Sequence, residues 1–142
     1  MPRVTDPILI GRICPYCGKE SEYVDSSVVY HGKSYGMIYL CRDCDAYVGC
    51  YPDGRAMGRL ANAELREAKK RAHHYLDQLW ETGRRREHKR HIIYNWLSRM
   101  LGIPRELTHI GMSDVDQCNR IADLAIARLK EEGIEYEVWP GD

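Results

Sequence analysis

Four cysteines stand in two pairs of identical spacing, Cys14-Pro15-Tyr16-Cys17 and Cys41-Arg42-Asp43-Cys44, with 23 residues between the pairs. A CxxC turn brings two thiolates within reach of one ion, and two such turns complete a tetrahedral set. The chemistry this predicts is a single Zn2+ held by Cys14, Cys17, Cys41 and Cys44. Four thiolates fill every coordination position and leave none for water, which makes the ion structural rather than catalytic. Gly18 follows Cys17 and suits the left-handed position that such a turn needs. Four thiolates on one Zn2+ leave two negative charges, so donors to the sulfurs are expected, and backbone N–H groups in the CxxC turns can serve. Lys19 and Arg42 are the candidates by proximity in sequence. A disulfide framework needs an oxidising compartment, and a redox CxxC explains one pair but not two.

Two further cysteines, Cys50 and Cys118, read as small buried apolar residues, although Cys50 lies close enough to Cys44 to replace a ligand. His31 sits between the two pairs as a competing ligand, superfluous where four thiolates are present.

A second kind of chemistry is suggested by Arg84-Arg85-Arg86-Glu87-His88-Lys89-Arg90-His91. Arg84, Arg85, Arg86, Lys89 and Arg90 are candidate phosphate contacts, which would make binding to DNA or RNA depend steeply on salt. The competing reading is a solvated helix face, and cations at a helix start oppose the dipole. Tyr16, Tyr23, Tyr30, Tyr35, Tyr39, Tyr47 and Tyr51 cluster around the cysteines. Exposed tyrosines can stack unpaired bases, but Tyr also favours strands, and half of them should face a core. Trp96 to Leu107 has the rhythm of a helix-turn-helix, with room for only a very short second helix before Gly111 and Ser113.

Catalytic patterns are poor. His73, His74, His88, His91 and His109 could be partnered by Asp77, Asp114 or Asp116, but no HExxH, GxSxG or phosphate-cradling loop occurs. A His/Asn nuclease held by two CxxC pairs would need paired histidines after the second pair, where Asp45-Ala46 stands. A metal-dependent nuclease is therefore the weakest of three readings, behind a nucleic-acid-binding accessory protein and a protein-interaction module or homodimer.

The 142 residues suit roughly one ordinary domain, and 21 Lys+Arg balance 21 Asp+Glu. That zero hides segregation. Residues 1–58 carry six basic and seven acidic side chains, 59–101 eleven and five, and 102–142 four and nine. The middle is basic and the tail acidic, so a basic face for nucleic acid, or complementary packing of the segments, remains open. No run of eighteen apolar residues and no signal-peptide pattern is visible, and the expected location is cytoplasmic.

The elements that must position these residues follow from periodicity. Residues 1–12 read as an N-terminal arm, 13–58 as a zinc ribbon and 59–142 as a helical C-terminal part. Strands are expected within Ser21–Val29, Met37–Leu40 and Ala46–Tyr51, closed by Pro52-Asp53-Gly54. A helix starts at Asn62 and ends at Gly83; a second runs from about Arg85 to Leu101, with Ile92, Ile93, Trp96, Leu97, Met100 and Leu101 as its apolar face. A third is capped by Ser113 and buries Val115, Cys118, Ala122, Ala125 and Leu129. The alternation of Ile134, Tyr136 and Val138 with Glu predicts a short final strand.

Cys14-Pro15-Tyr16-Cys17-Gly18, Tyr39 to Cys50 and Gly58 to Arg66 resemble a family described as a zinc-finger-containing domain, and Trp96-Leu97, Leu101-Gly102-Ile103 and His109 to Met112 are similar too. The resemblance spans roughly residues 13–125. It implies a bacterial or phage protein, a zinc ribbon joined to a helical tail, and the four paired cysteines as metal ligands. It implies no activity, and Arg84–Arg90 departs from the family pattern. The expected fold class is α+β: an N-terminal four-cysteine zinc ribbon of β-hairpins packed on a C-terminal three-helix part.

Overall fold

The structure is a computed structural model that describes residues 4–142; the first three residues of the expected arm lie outside the described residues. The chain divides into two compact units, Met1–Arg66 and Glu67–Asp142. The class is α+β, a three-stranded antiparallel sheet followed by three helices.

In the first unit the strands are β1 (Glu22–Asp25), β2 (Met37–Cys41) and β3 (Ala46–Gly49), paired in chain order. Register places Tyr23 opposite Tyr39 and Tyr39 opposite Val48. Because partners across a ladder share a face, Tyr23, Tyr39, Cys41, Ala46 and Val48 point one way, and Ile38, Leu40 and Tyr47 the other. Ile38, Leu40, Ala46 and Val48 are all buried, so both faces are covered. Beyond β3 the chain turns back, and Ala61 exchanges both backbone hydrogen bonds with Tyr47 at 3.0 and 3.1 Å. Ahead of the sheet, residues 6–13 wind into consecutive turns. Ser21 anchors them through N–H to the Arg12 carbonyl and Oγ to the Gly11 carbonyl.

Three helices follow: α1 (Ala63–Asp77), α2 (Arg86–Leu101) and α3 (Val115–Glu131). Asn62 caps α1, its Oδ1 accepting from the Leu65 N–H at 3.0 Å. For α3 the expected cap is corrected by one residue. Asp114 Oδ1 accepts from the Gln117 N–H, while Ser113 is buried and donates its hydroxyl to the His109 carbonyl. The core of the second unit includes Tyr75, Leu76, Tyr94, Leu97, Ile110, Cys118, Ile121 and Leu129.

Three other expectations change. The apolar face of α2 is narrower than its sequence suggests: Ile93, Tyr94, Leu97 and Leu101 are buried, but Ile92 and Met100 are 44 % and 45 % exposed. Tyr94 takes the inward position because Arg90 and Arg105 can lie against its ring, at 4.4 and 5.1 Å from the centroid. After α2 come two single 3-10 turns, Arg105–Leu107 and Ile110–Met112, in place of a recognition helix. Thr108 explains this: it is fully buried and donates its hydroxyl to the Pro104 carbonyl, tying the segment into a turn. The final strand does not form either. Residues 134–142 find no strand to pair with, and side chains at the end of α1 and in the turn that follows it take the partner role instead. Gln78 bonds both the N–H and the carbonyl of Glu137, and Tyr75 Oη accepts from the Trp139 N–H. Asp142 receives Arg71 and the Tyr75 hydroxyl.

Gly11 and Gly18 share nearly the same left-handed φ, +77° and +78°, but a Cβ on Gly11 would lie 2.6 Å from Ala56 Cβ whereas one on Gly18 meets nothing within 4 Å. Gly18→Ala therefore costs only backbone strain, about 1–2 kcal/mol. Gly11→Ala is expected to cost distinctly more in urea denaturation of the zinc-loaded protein. Equal losses would refute the close seating of the N-terminal turns.

Candidate metal centre

The first knuckle is a tight hairpin. Ile13 bridges Glu20, the Cys14 N–H donates to the Lys19 carbonyl at 2.8 Å, and the Gly18 N–H donates to the Cys14 carbonyl at 2.9 Å. The second knuckle follows directly from β2, whose last residue is Cys41. Its fifth residue, Asp45, takes the left-handed conformation (φ 49°) that Gly18 takes in the first. A non-glycine residue there needs support, and Arg66 supplies it. The guanidinium donates to the Asp45 carbonyl at 2.9 Å and to the Ala61 carbonyl at 2.7 Å, and pairs with the Asp45 carboxylate at 3.4 Å.

These turns bring the four Sγ atoms within 4.8 Å of one another, with Cys17 and Cys41 3.6 Å apart. Zinc–sulfur bonds of about 2.3 Å in a tetrahedron require sulfurs about 3.8 Å apart, so the cluster has the size the ion needs. Cys14 and Cys41 are buried in one cluster with Ala46, Val48 and Leu60, against which Tyr39, Cys44 and Ala56 pack. Cys44 is half-buried, and Cys17 is the exposed corner.

The electrostatics identify the donors that the excess charge demands. The backbone N–H of Lys19 bonds Cys17 and lowers its pKa; burial pushes the Cys41 thiol up, and a backbone bond from Cys44 opposes that rise. The side chains of Lys19 and Arg42 are occupied elsewhere: Lys19 pairs with Asp43 at 2.6 Å and Arg42 with Glu22 at 2.8 Å. Of the expected donors, the amides are thus the ones bonded to the sulfurs, and the turn aims them there at no cost in side-chain entropy. Desolvation and the three neighbouring sulfurs push the Cys44 thiol up to about 12. Four thiols in so small a space cannot all ionise alone, and a divalent cation is what the donor set fits. The chain thus holds one structural zinc, with Cys14, Cys17, Cys41 and Cys44 as the residues that would hold it.

Among the described residues, these four cysteines are the only group of three or more Cys, His, Asp or Glu side chains close enough to share an ion. His31 lies in an exposed turn and Cys50 falls outside the group. Of the histidines considered for catalysis, His73 stands 3.4 Å from Asp77, and His74 bonds the Glu137 carbonyl. His109 lies beside Tyr94, its pKa lowered by burial and by Arg105 and Arg90.

The basic stretch divides. Arg84, Arg85 and Arg86 are exposed at the start of α2, and among the described residues no salt bridge engages them. Lys89 folds back on the Thr82 carbonyl, and Arg90 lies over Trp80 and Tyr94. The role of Arg66 was not read from sequence, since nothing local marks a side chain that props a turn 21 residues away.

Metal analysis is expected to find one zinc per chain, and Cys14→Ala to abolish it together with the sheet signal in circular dichroism. Cys50→Ala should retain the metal; its loss there would make Cys50 a ligand. Because the thiols must lose protons to bind, zinc affinity should fall as pH is lowered, as read by competition with a chromophoric chelator.

No curated protein and no solved structure matches the chain. A family model described as a zinc-finger-containing domain matches residues 10–128, taking in both knuckles, the sheet and most of the helical part. With that match and a cluster of the size and chemistry zinc requires, the chain belongs to the zinc-finger-containing domain family.

Proposed function

We propose that this zinc-binding protein is a nucleic-acid-binding accessory protein whose second unit contacts phosphates through the start of α2. The observation that carries the reading is the exposed, unbridged trio Arg84, Arg85 and Arg86. Three cations at the positive end of a helix dipole are unfavourable unless an anion joins them. Arg85 sits at the N-cap in a left-handed conformation with no side-chain cap. The first amides of α2 are therefore left for an anion, and a phosphate satisfies both the amides and the guanidinium groups. Lys89 and Arg90 add positive potential while anchored to neighbouring groups. No helix among the described residues is long and apolar enough to cross a membrane.

A second reading, a homodimer or a protein-binding module, has its own observation. Ile92, Trp96 and Met100 fall at i, i+4 and i+8 on α2, and the outer two are exposed. Such a stripe suits a protein partner better than phosphate.

Binding of zinc-loaded protein to DNA and RNA across a salt series tests the first reading. The slope of log affinity against log salt should flatten by about 0.9 for each phosphate contact removed in Arg84→Ala, Arg85→Ala and Arg86→Ala on duplex DNA. An unchanged slope overturns it. Sedimentation tests the second: a dimer that Ile92→Asp dissociates supports it, and a monomer at all concentrations removes the homodimer.

A further inference from the structure

A row of stacked groups runs from the first turns of α1 across β3 to the loop between β1 and β2. The Arg66 guanidinium lies 4.3 Å from the centroid of Tyr47, Tyr47 meets Tyr30 edge-on at 6.0 Å, Tyr30 meets Tyr35 edge-on at 5.1 Å, and Lys33 Nζ stands 5.4 Å from the centroid of Tyr35. Exposure rises along the row, from a half-buried Tyr47 to 40 % for Tyr30 and 67 % for Tyr35. The outermost ring is thus the most accessible large hydrophobic side chain among the described residues.

The backbone beneath this ring is locked. Ser26 is buried; its Oγ accepts from the Tyr35 N–H at 2.7 Å and its own N–H donates to the Gly36 carbonyl at 2.9 Å. Asp25 accepts from the Ser27 N–H and the Ser34 hydroxyl. His31 and Gly32, both with positive φ, close the turn, and the Lys33 N–H donates to the Tyr30 carbonyl. An exposed aromatic ring on a fixed backbone has little conformational entropy left to lose on binding. Lys33 is the cation beside it, while the Asp25 carboxylate is engaged by the Ser27 N–H and the Ser34 hydroxyl.

We infer that Tyr35, backed by Tyr30 and flanked by Lys33, is a stacking platform for an unpaired base of single-stranded nucleic acid, with Lys33 on the adjoining phosphate. Every base has a π-face, so such a platform is tolerant of sequence, and a duplex keeps those faces hidden. Tyr51 suits this less well, because Arg55 beside it is paired with Asp53 at 2.6 Å. The inference rests on the nucleic-acid reading and assigns it a strand type and a second contact surface.

The test uses the full zinc-loaded chain with fluorescein-labelled oligothymidylate, oligouridylate and a mixed-sequence duplex. Tyr35→Ala should weaken single-strand binding roughly 5- to 150-fold, with duplex affinity and salt slope unchanged. Tyr35→Phe should restore the loss, and the indole introduced by Tyr35→Trp should be quenched on adding oligothymidylate. Zinc content and circular dichroism of each variant confirm the fold. If the wild type binds single strands and Tyr35→Ala binds them equally well, the platform is refuted while the reading of α2 stands. If the wild type binds no nucleic acid at low salt, both fall.

Discussion

Four sulfur atoms within 4.8 Å of one another repel as thiolates and gain little as thiols, yet the first unit is built around them. Its strands are only four or five residues long, and two of the four sulfurs belong to residues of its buried cluster. Metal centre and hydrophobic core are therefore one object rather than neighbours. A sheet of this size has too little apolar area to offset the entropy of ordering its loops, and structural zinc contributes apparent binding energies of about 10–16 kcal/mol in small domains. Everything the unit presents, including the rigid loop that holds Tyr35, depends on that contribution.

The way the negative charge of the centre is handled shapes the surface around it. Because backbone amides serve the sulfurs, the charged side chains nearby are released to pair with carboxylates. Lys19–Asp43 and Arg42–Glu22 both link the first half of the ribbon to the second knuckle or the strand leading to it. Such exposed pairs are screened by solvent and add little stability, so they steer the approach of the two knuckles more than they hold it. Arg66 is different: Nη1 ties the left-handed Asp45 to Ala61 through their carbonyls while Nη2 reaches the Asp45 carboxylate, a division of duties that suits the fork of donors in a guanidinium.

The metal set was legible in sequence because CxxC spacing is dictated by the ion, and the helices because their apolar positions recur at helical period. What escaped shares one cause, the need for a partner distant in sequence. The alternation at Ile134–Val138 is sound strand grammar, but a strand requires an edge, and the side chains of Gln78 and Tyr75 are what it met. Ile92 and Met100 fit an apolar stripe equally well as Ile93 and Leu97, and only packing decides which side is covered. The backbone amides that serve the sulfurs were expected of the CxxC turn itself, whereas the carboxylates that engage Lys19 and Arg42 were not, because they lie 20 or more residues away. Asp114 and Ser113 were indistinguishable as caps until Ser113 was seen to be buried.

The segment at residues 134–142 is gripped at its main chain through the Glu137 N–H and carbonyl and the Trp139 N–H, and at its side chains through the Tyr136 and Trp139 rings, which meet Tyr75 and His74, and through the Asp142 carboxylate. At its other positions informational burden is shifted off the segment and onto its cradle. Glu135 and Val138 can drift in identity without disturbing the attachment, because backbone amides read the same under any side chain. Gln78 and Tyr75 have no such latitude, since each serves two hydrogen-bonding duties with a single head group. Substitution at either would remove two ties at once, so tolerance and fragility in this part of the molecule lie on opposite sides of the same contact.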